Sequence, residues 1–433
     1  MWRPTVIFLA LLAVSFSGCI GDETASDGST SEWTEPVFED LKTLPETITD
    51  IGLLGASDTP SGSGIWVDGD HAYVGGRATG FHVVDISDPA EPVVVGHLNG
   101  TGEDKESGVY ARDVDLITYA DGTKVAVLAG QSLGMYFVDV TVPTDPVLLA
   151  TIATPQMPYT YEGEAREMPT HNVAAVPGTT LVYNSPSGGL GRTNHIIDAS
   201  VPDEPKVIGN WGEHGCHDTT FYVSEEENRS RAYCAGRDVT EIWDIADPTA
   251  PVLLTSLNHP VVDNGGGLHH LAMVDQTASI LIIGDEFRGG SGPGCQADTS
   301  AGSTPLGALW FFDIKGDNEK APKELGSFSP TLPLERTLAA NGDYHERLLA
   351  NPTGAPQPTT SCTAHFGEFI GDKPVLAMGW YLAGVVLIDL SDPTDPKQIA
   401  QFNDGTDTWD VKFHRGVLVT GDMARGLDVL ELL

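Results

Sequence analysis

The sequence predicts an all-β protein: a seven-bladed β-propeller of four-stranded antiparallel blades, closed by an N-terminal strand that completes the last blade. Three observations lead there. A strand–turn–strand motif recurs six times along the 433 residues. Further short apolar runs precede the copies, enough for two more strands each. Gly 49 and Pro 29 scatter turns throughout, which argues for many short elements rather than long helices.

The motif is clearest at 81–96, FHVVDISDPAEPVVVG. Apolar residues lead into an Asp, then a Pro-containing turn, then a second apolar run. It recurs at 136–149, 196–208, 242–254, 311–325 and 387–399, placing the repeated acid at Asp85, Asp139, Asp198, Asp244, Asp313 and Asp389. An Asp there can accept backbone N–H bonds in the turn, and the prolines fix φ and end ladder pairing. Upstream, pairs such as Val114–Ile117 with Lys124–Ala129, and Val411–Phe413 with Val417–Thr420, supply the other two strands. Four antiparallel strands repeated at such spacing make one propeller blade each. The stretch from Val411 to Leu433 supplies only three, with Glu431 where the repeated Asp would stand. Ile48–Gly55 offers the missing fourth strand, and closure of this kind removes exposed sheet edges.

The copies that read HVVDISDP, EIWDIADP and VVLIDLSDP resemble the LVIVD repeat, over nearly all of residues 48–433. The resemblance implies a propeller outside the cytoplasm, often lipid-anchored, in a family without a single established activity. It bears on architecture far more than on function.

The N-terminus reads as a targeting segment, with residues 1–18 as a signal peptide. Arg3 precedes the apolar run Val6–Phe16, too short to span a bilayer but suited to a signal-peptide core. Ser17-Gly18-Cys19 resembles a lipobox, so Cys19 is expected to be lipidated and to anchor the protein to the outer face of the membrane; if Cys19 escapes lipidation, the protein is secreted. Residues 19–45 are acidic and polar and read as a flexible tether before the propeller at 46–433. Outside the cytoplasm, Cys216 with Cys234 and Cys295 with Cys362 are expected to form two disulfides.

Charge excludes one partner class. With 61 Asp+Glu against 23 Lys+Arg, the net charge is −38 and no basic face exists for nucleic acid. The composition resembles that of proteins from salt-loving archaea, where dense carboxylates hold a hydration shell. The propeller is expected to be monomeric.

The sharpest chemical signal lies at the blade starts, which line the axial channel. They read Arg112-Asp113, His171-Asn172, His217-Asp218, His269-His270, Ala364-His365 and Trp409-Asp410. Alignment puts His171, His217 and His269 on one rung. Asp113, Asn172, Asp218, His270, His365 and Asp410 fall on the next, as polar residues of the channel mouth. Imidazoles and carboxylates converging on one axis make a composition suited to Zn, Cu or Fe, with ligands drawn from His171, His217, His269, His270 and His365. The alternative is a polar, water-filled mouth without metal, so no cofactor is assigned. Loops between second and third strands return to the same mouth with Arg77, Gln131, Arg237, Glu286, Arg288, Trp380, Asp422 and Arg425, whose arginines are candidates for an anionic ligand. The sequence GQSLG at 130–134 matches a nucleophile elbow but falls between two strands, not on a strand-to-helix turn.

Two functional classes remain. One is a membrane-anchored, cell-surface binding module presenting its loops to a protein, glycan or small molecule. The other is a metal-dependent, oxidoreductase-like enzyme at the channel mouth, by analogy with selenium-binding-protein (methanethiol oxidase) propellers that also bring histidines to an axial site. No catalytic residue is assigned.

Overall fold

The computed structural model describes residues 37–100, 108–161, 164–167, 169–259, 268–286, 307–330 and 362–433. The signal and tether expected before residue 37, Cys19, Arg288 and Cys295 lie outside the described residues. Within 35–433 the chain forms one compact unit.

Seven four-stranded antiparallel sheets follow one another. Blade 1 comprises Ile65–Asp68, His71–Gly75, Gly80–Asp85 and Val93–Asn99; blade 2, Val114–Thr118, Lys124–Ala129, Met135–Asp139 and Val147–Ile152. Blade 3 comprises Asn172–Ala175, Leu181–Ser185, Asn194–Asp198 and Lys206–Trp211; blade 4, Asp218–Ser224, Arg229–Ala235, Thr240–Asp244 and Val252–Leu257. Blade 5 comprises His269–Val274, Ile280–Asp285, Leu309–Asp313 and Lys323–Phe328; blade 6, Gly367–Phe369, Val375–Gly379, Val385–Asp389 and Lys397–Phe402. Blade 7 takes Thr408–His414, Val417–Asp422 and Gly426–Leu432 from the end of the chain, and Ile51–Ala56 from near its start. Ile51 pairs with Leu432 and Ala56 with Asp428. The propeller is thus closed by the N-terminal strand.

The repeated Asp works locally. In each of blades 1 to 6 its Oδ1 accepts the backbone N–H two residues on, at 2.8–2.9 Å, from Ser87, Thr141, Ser200, Ala246, Lys315 and Ser391. Glu431 cannot make that short turn; its carboxylate instead pairs with Lys42. The pairing of third and fourth strands slips by one residue at the same place in every blade, from Val83/Val84 to Leu387/Ile388, and at Leu53/Gly55 in blade 7. One repeated bulge imposes one repeated twist.

Seven apolar clusters hold the blades together, one at each of the seven interfaces. Cluster residues Ile65, Val74, Val419 and Val429 join blade 7 to blade 1 and so continue the packing around the circle. The next interfaces are filled by residues such as Phe81 with Leu128, Phe137 with Val182, and Tyr183 with Trp243. The others hold Ile242 with Ile283, Phe311 with Trp380, and Leu387 with Leu418. The Cys216–Cys234 disulfide forms as expected, with Cα atoms 5.3 Å apart, inside the cluster between blades 3 and 4. Cys362 is also a disulfide cysteine.

Candidate functional site

The first strand of each blade begins at one mouth of the channel, and a shared backbone contact fixes its register. The N–H groups of Ser63, Arg112, His171, His217 and His365 donate to the last residue of the second strand in the same blade, respectively Gly75, Ala129, Ser185, Ala235 and Gly379. Five blades therefore present a side chain at one level. Blades 5 and 7 reach that level differently, because a bulge in the first strand skips His270 and Trp409 out of the ladder.

The consequence is a closed circuit of side chains. Ring centroids lie 4.2 Å apart for His171 and His217, 4.0 Å for His217 and His270, and 4.1 Å for His270 and His365. His365 then packs on Trp409 at 4.4 Å, and the Arg112 guanidinium lies 4.5 Å from the Trp409 ring centroid. Arg112 Nε donates back to His171 Nε2 at 3.1 Å. His269, aligned from sequence with His171 and His217, is not in this ring. It occupies the position before the ring residue, like Ala111, Thr170 and Thr408, and its Nδ1 meets the Thr240 hydroxyl at 2.7 Å. The bulge displaced the register by one, so His270 takes the inward place.

A second tier sits above the ring. The turns after the second strands put Arg77, Gln131, Arg237 and Tyr381 in left-handed conformations, with φ between 44° and 64°, and each pairs with the residue preceding the next ring position. In blade 5 the residue after the second strand is Glu286, whose N–H turns back to Leu268 at the start of its own blade. In blade 6 the place falls to Tyr381 rather than Trp380, which is fully buried in the core with its indole N–H donating to Gly307. A ligand-contacting role for Trp380 does not fit that burial. Arg425 is engaged by Asp428 and by the Asp404 carbonyl, and Asp422 caps its own turn. Arg77 holds Tyr110 and lies 5.8 Å from the Trp409 centroid.

Glu286 is the tier carboxylate, and it reaches two of the histidines. One of its oxygens is 3.7 Å from His270 Nε2; the other is 3.8 Å from His365 Nε2 and accepts the Tyr381 hydroxyl. His217, His270 and Glu286 each bring a donor atom within 4.8 Å of the others. Separations of 3.7–3.8 Å are too long for hydrogen bonds. Accordingly His217 Nδ1, both nitrogens of His270 and His365 Nε2 are buried without a partner. Each such atom costs about 1–3 kcal/mol. His365 Nδ1 lies 2.6 Å from the Trp409 carbonyl, so it carries the proton and leaves Nε2 as a lone pair.

Burial sets the charges. It holds His171, His217, His270 and His365 well below the usual imidazole range, with the nearby Arg112 charge adding to the effect. Burial pushes Glu286 up to about 7 and Tyr381 well above the usual phenol range, and lowers Arg112. The site therefore offers neutral imidazole lone pairs beside a carboxyl poised near neutrality.

Below the ring the channel opens into a cavity of about 530 Å³, lined by Trp66, Asp113, Asp115, Asn172, Asp218 and Lys412 among others. Its carboxylates clasp blades together. Asp113 accepts the N–H of Val173, Asp115 that of Ala175, Asp410 that of Ile65 and Glu368 that of Phe413, each from the next blade. Asn172 donates to Asp218 at 3.4 Å. Asp113, Asn172, Asp218 and Asp410 thus lie on the far side of the ring from Glu286.

Fold and site together define a β-propeller with an axial histidine cluster. Residues 61–99, which make up blade 1, match the family model of the LVIVD repeat. No curated protein sequence matches the chain. Among solved structures, the chain is similar to the WD40 repeats of RRP9, at 11% identity and a TM-score of 0.52, with 89% of this chain and 98% of that chain covered. It is also similar to Sqt1 of Saccharomyces cerevisiae, at 12% identity and a TM-score of 0.47, with 89% and 83% covered. The RRP9 likeness concerns the fold alone. Among the described residues no helix is long and apolar enough to cross a membrane.

Proposed function

We propose that this protein is an extracytoplasmic binding module, anchored to the outer face of the cell membrane through Cys19, that receives its ligand at the mouth bearing the axial histidines. The observation that carries this reading is the concentration of cations there. Arg77, Arg112 and Arg237 belong to two adjacent tiers of one mouth in a chain of net charge −38. A fixed ring that gathers arginines against such a background suits a small anion or the anionic part of a glycan or protein. The WD40-like fold is compatible with an interaction role. Two measurements test it. Cys19→Ser should move the full chain from the membrane to the soluble fraction. Carboxylates, phosphate and sulfated glycans should raise the melting temperature of the wild type and not of Arg77→Ala/Arg237→Ala; a panel that shifts neither protein sinks the binding reading.

A second reading is favoured by the buried His217, His270 and Glu286. In it, the mouth carries out metal-dependent, oxidoreductase-like chemistry on the ligand that the arginines select. Turnover that requires added metal and is lost in His270→Ala would establish it.

A further inference from the structure

The geometry points to one divalent first-row transition ion, bound by His217, His270, His365 and Glu286 at the level of the histidine ring. This deepens the second reading, but it concerns occupancy and not turnover. Four observations converge. The nitrogens of His217, His270 and His365 named above are buried without partners. The Glu286 oxygens stand 3.7 and 3.8 Å from two of them. Donors around a tetrahedral ion with bonds of about 2.0–2.1 Å lie about 3.4 Å apart; His217, His270 and Glu286, within 4.8 Å of one another, must draw in to that distance, and His365 joins them from its place beside Glu286.

The supporting residues are also in place. The Trp409 carbonyl holds His365 Nδ1–H, which aims Nε2 at the carboxylate, and the Tyr381 hydroxyl orients Glu286. A hydrogen bond to the far side of a ligand is how metal sites fix tautomer and direction. His171 is excluded because Arg112 already occupies its Nε2, and His269 because it sits one position before the ring residue, outside the circuit. Three imidazoles and one carboxylate, with no thiolate, suit Zn(II), Fe(II), Co(II) or Cu(II) over Mg(II) or Ca(II).

The experiment is a Co(II) and Zn(II) titration of the full chain, stripped of metal with its disulfides intact. One ion per chain should bind, and Co(II) should give visible absorption typical of nitrogen and oxygen ligands. His270→Ala and Glu286→Gln should each weaken binding by at least tenfold, and His269→Gln should leave it unchanged. X-ray absorption on the wild-type zinc form, which needs no variant to fold, should count three imidazoles. Absence of stoichiometric binding, equal binding in Glu286→Gln, or a first shell without imidazole overturns the assignment. Binding without turnover leaves the site standing and removes the enzymatic reading, so the two failures are distinguishable.

Discussion

Arg112 Nε and His171 Nε2 meet at 3.1 Å, and that bond divides the four ring histidines. His171 has its lone pair engaged by a cation, whereas the other three carry unpartnered nitrogens. The same guanidinium stacks on Trp409, so one residue closes the circuit between blades 3 and 7 from its place in blade 2.

Removing that cation should be felt by all four imidazoles. Arg112 depresses the protonation of His171, His217, His270 and His365. In Arg112→Gln the metal-free protein should therefore show histidine titrations moved to higher pH, read by NMR on the imidazole carbons. Unchanged titrations would mean that burial alone keeps the ring neutral.

The disulfide adjoins the ring, since Cys216 immediately precedes His217. Cross-linking across a loop of this size contributes about 3 kcal/mol. Cys216→Ala/Cys234→Ala should lose about that much in reversible denaturation, and its Co(II) affinity should fall as well. Lost stability with unaltered affinity would show that the bridge does not position His217.

Asp115 gives a pH signature. Burial raises its carboxyl from 3.8 to about 6 in the fold, against the pull of two backbone N–H groups. The folded state then binds the proton more tightly than the unfolded chain. The contribution of Asp115 is most favourable below pH 4 and declines as pH rises through 6. The stability of the wild type relative to Asp115→Asn should accordingly fall by about 1.4 kcal/mol per pH unit across that window, and level off above it. A difference that rises with pH would contradict the assignment.

Closure by the N-terminal strand can be tested by deletion. A chain starting at Ser57 lacks the partner of Gly426–Leu432 and leaves that strand as an open edge. It should associate or aggregate at concentrations where the longer chain does not, as read by light scattering. A monomeric, equally stable deletion would show that the strand is dispensable.

Some of this was legible in the sequence and some was not, for physical reasons. Asp85 and its five counterparts announce their blades because the bond each makes spans two residues. The closing strand was found by counting strands, although it begins at Ile51 rather than Ile48. Alignment by position put His269 on the ring, since a bulge reveals itself only against the partner strand. Tyr381 was missed beside Trp380 because Trp380 stands where the other turns carry Gly76, Gly130 and Gly236 ahead of the left-handed residue. Arg77, Gln131 and Arg237 were legible together, each on a loop that returns to the mouth after Gly76, Gly130 or Gly236. Arg112 stood in the list of blade starts but not among the site residues, because its bond reaches the neighbouring blade.

The closed circle also sets an order of events. Thr49 and Leu433 are 384 residues apart and bonded, so the last blade cannot form until the whole chain is available. Such distant pairing is slow to find. Until blade 7 docks on blade 1, Trp409 and Arg112 have no fixed distance from one another. The unbroken circuit from Arg112 round to Trp409 is therefore a property of the closed ring, and its last contact reports that closure has taken place.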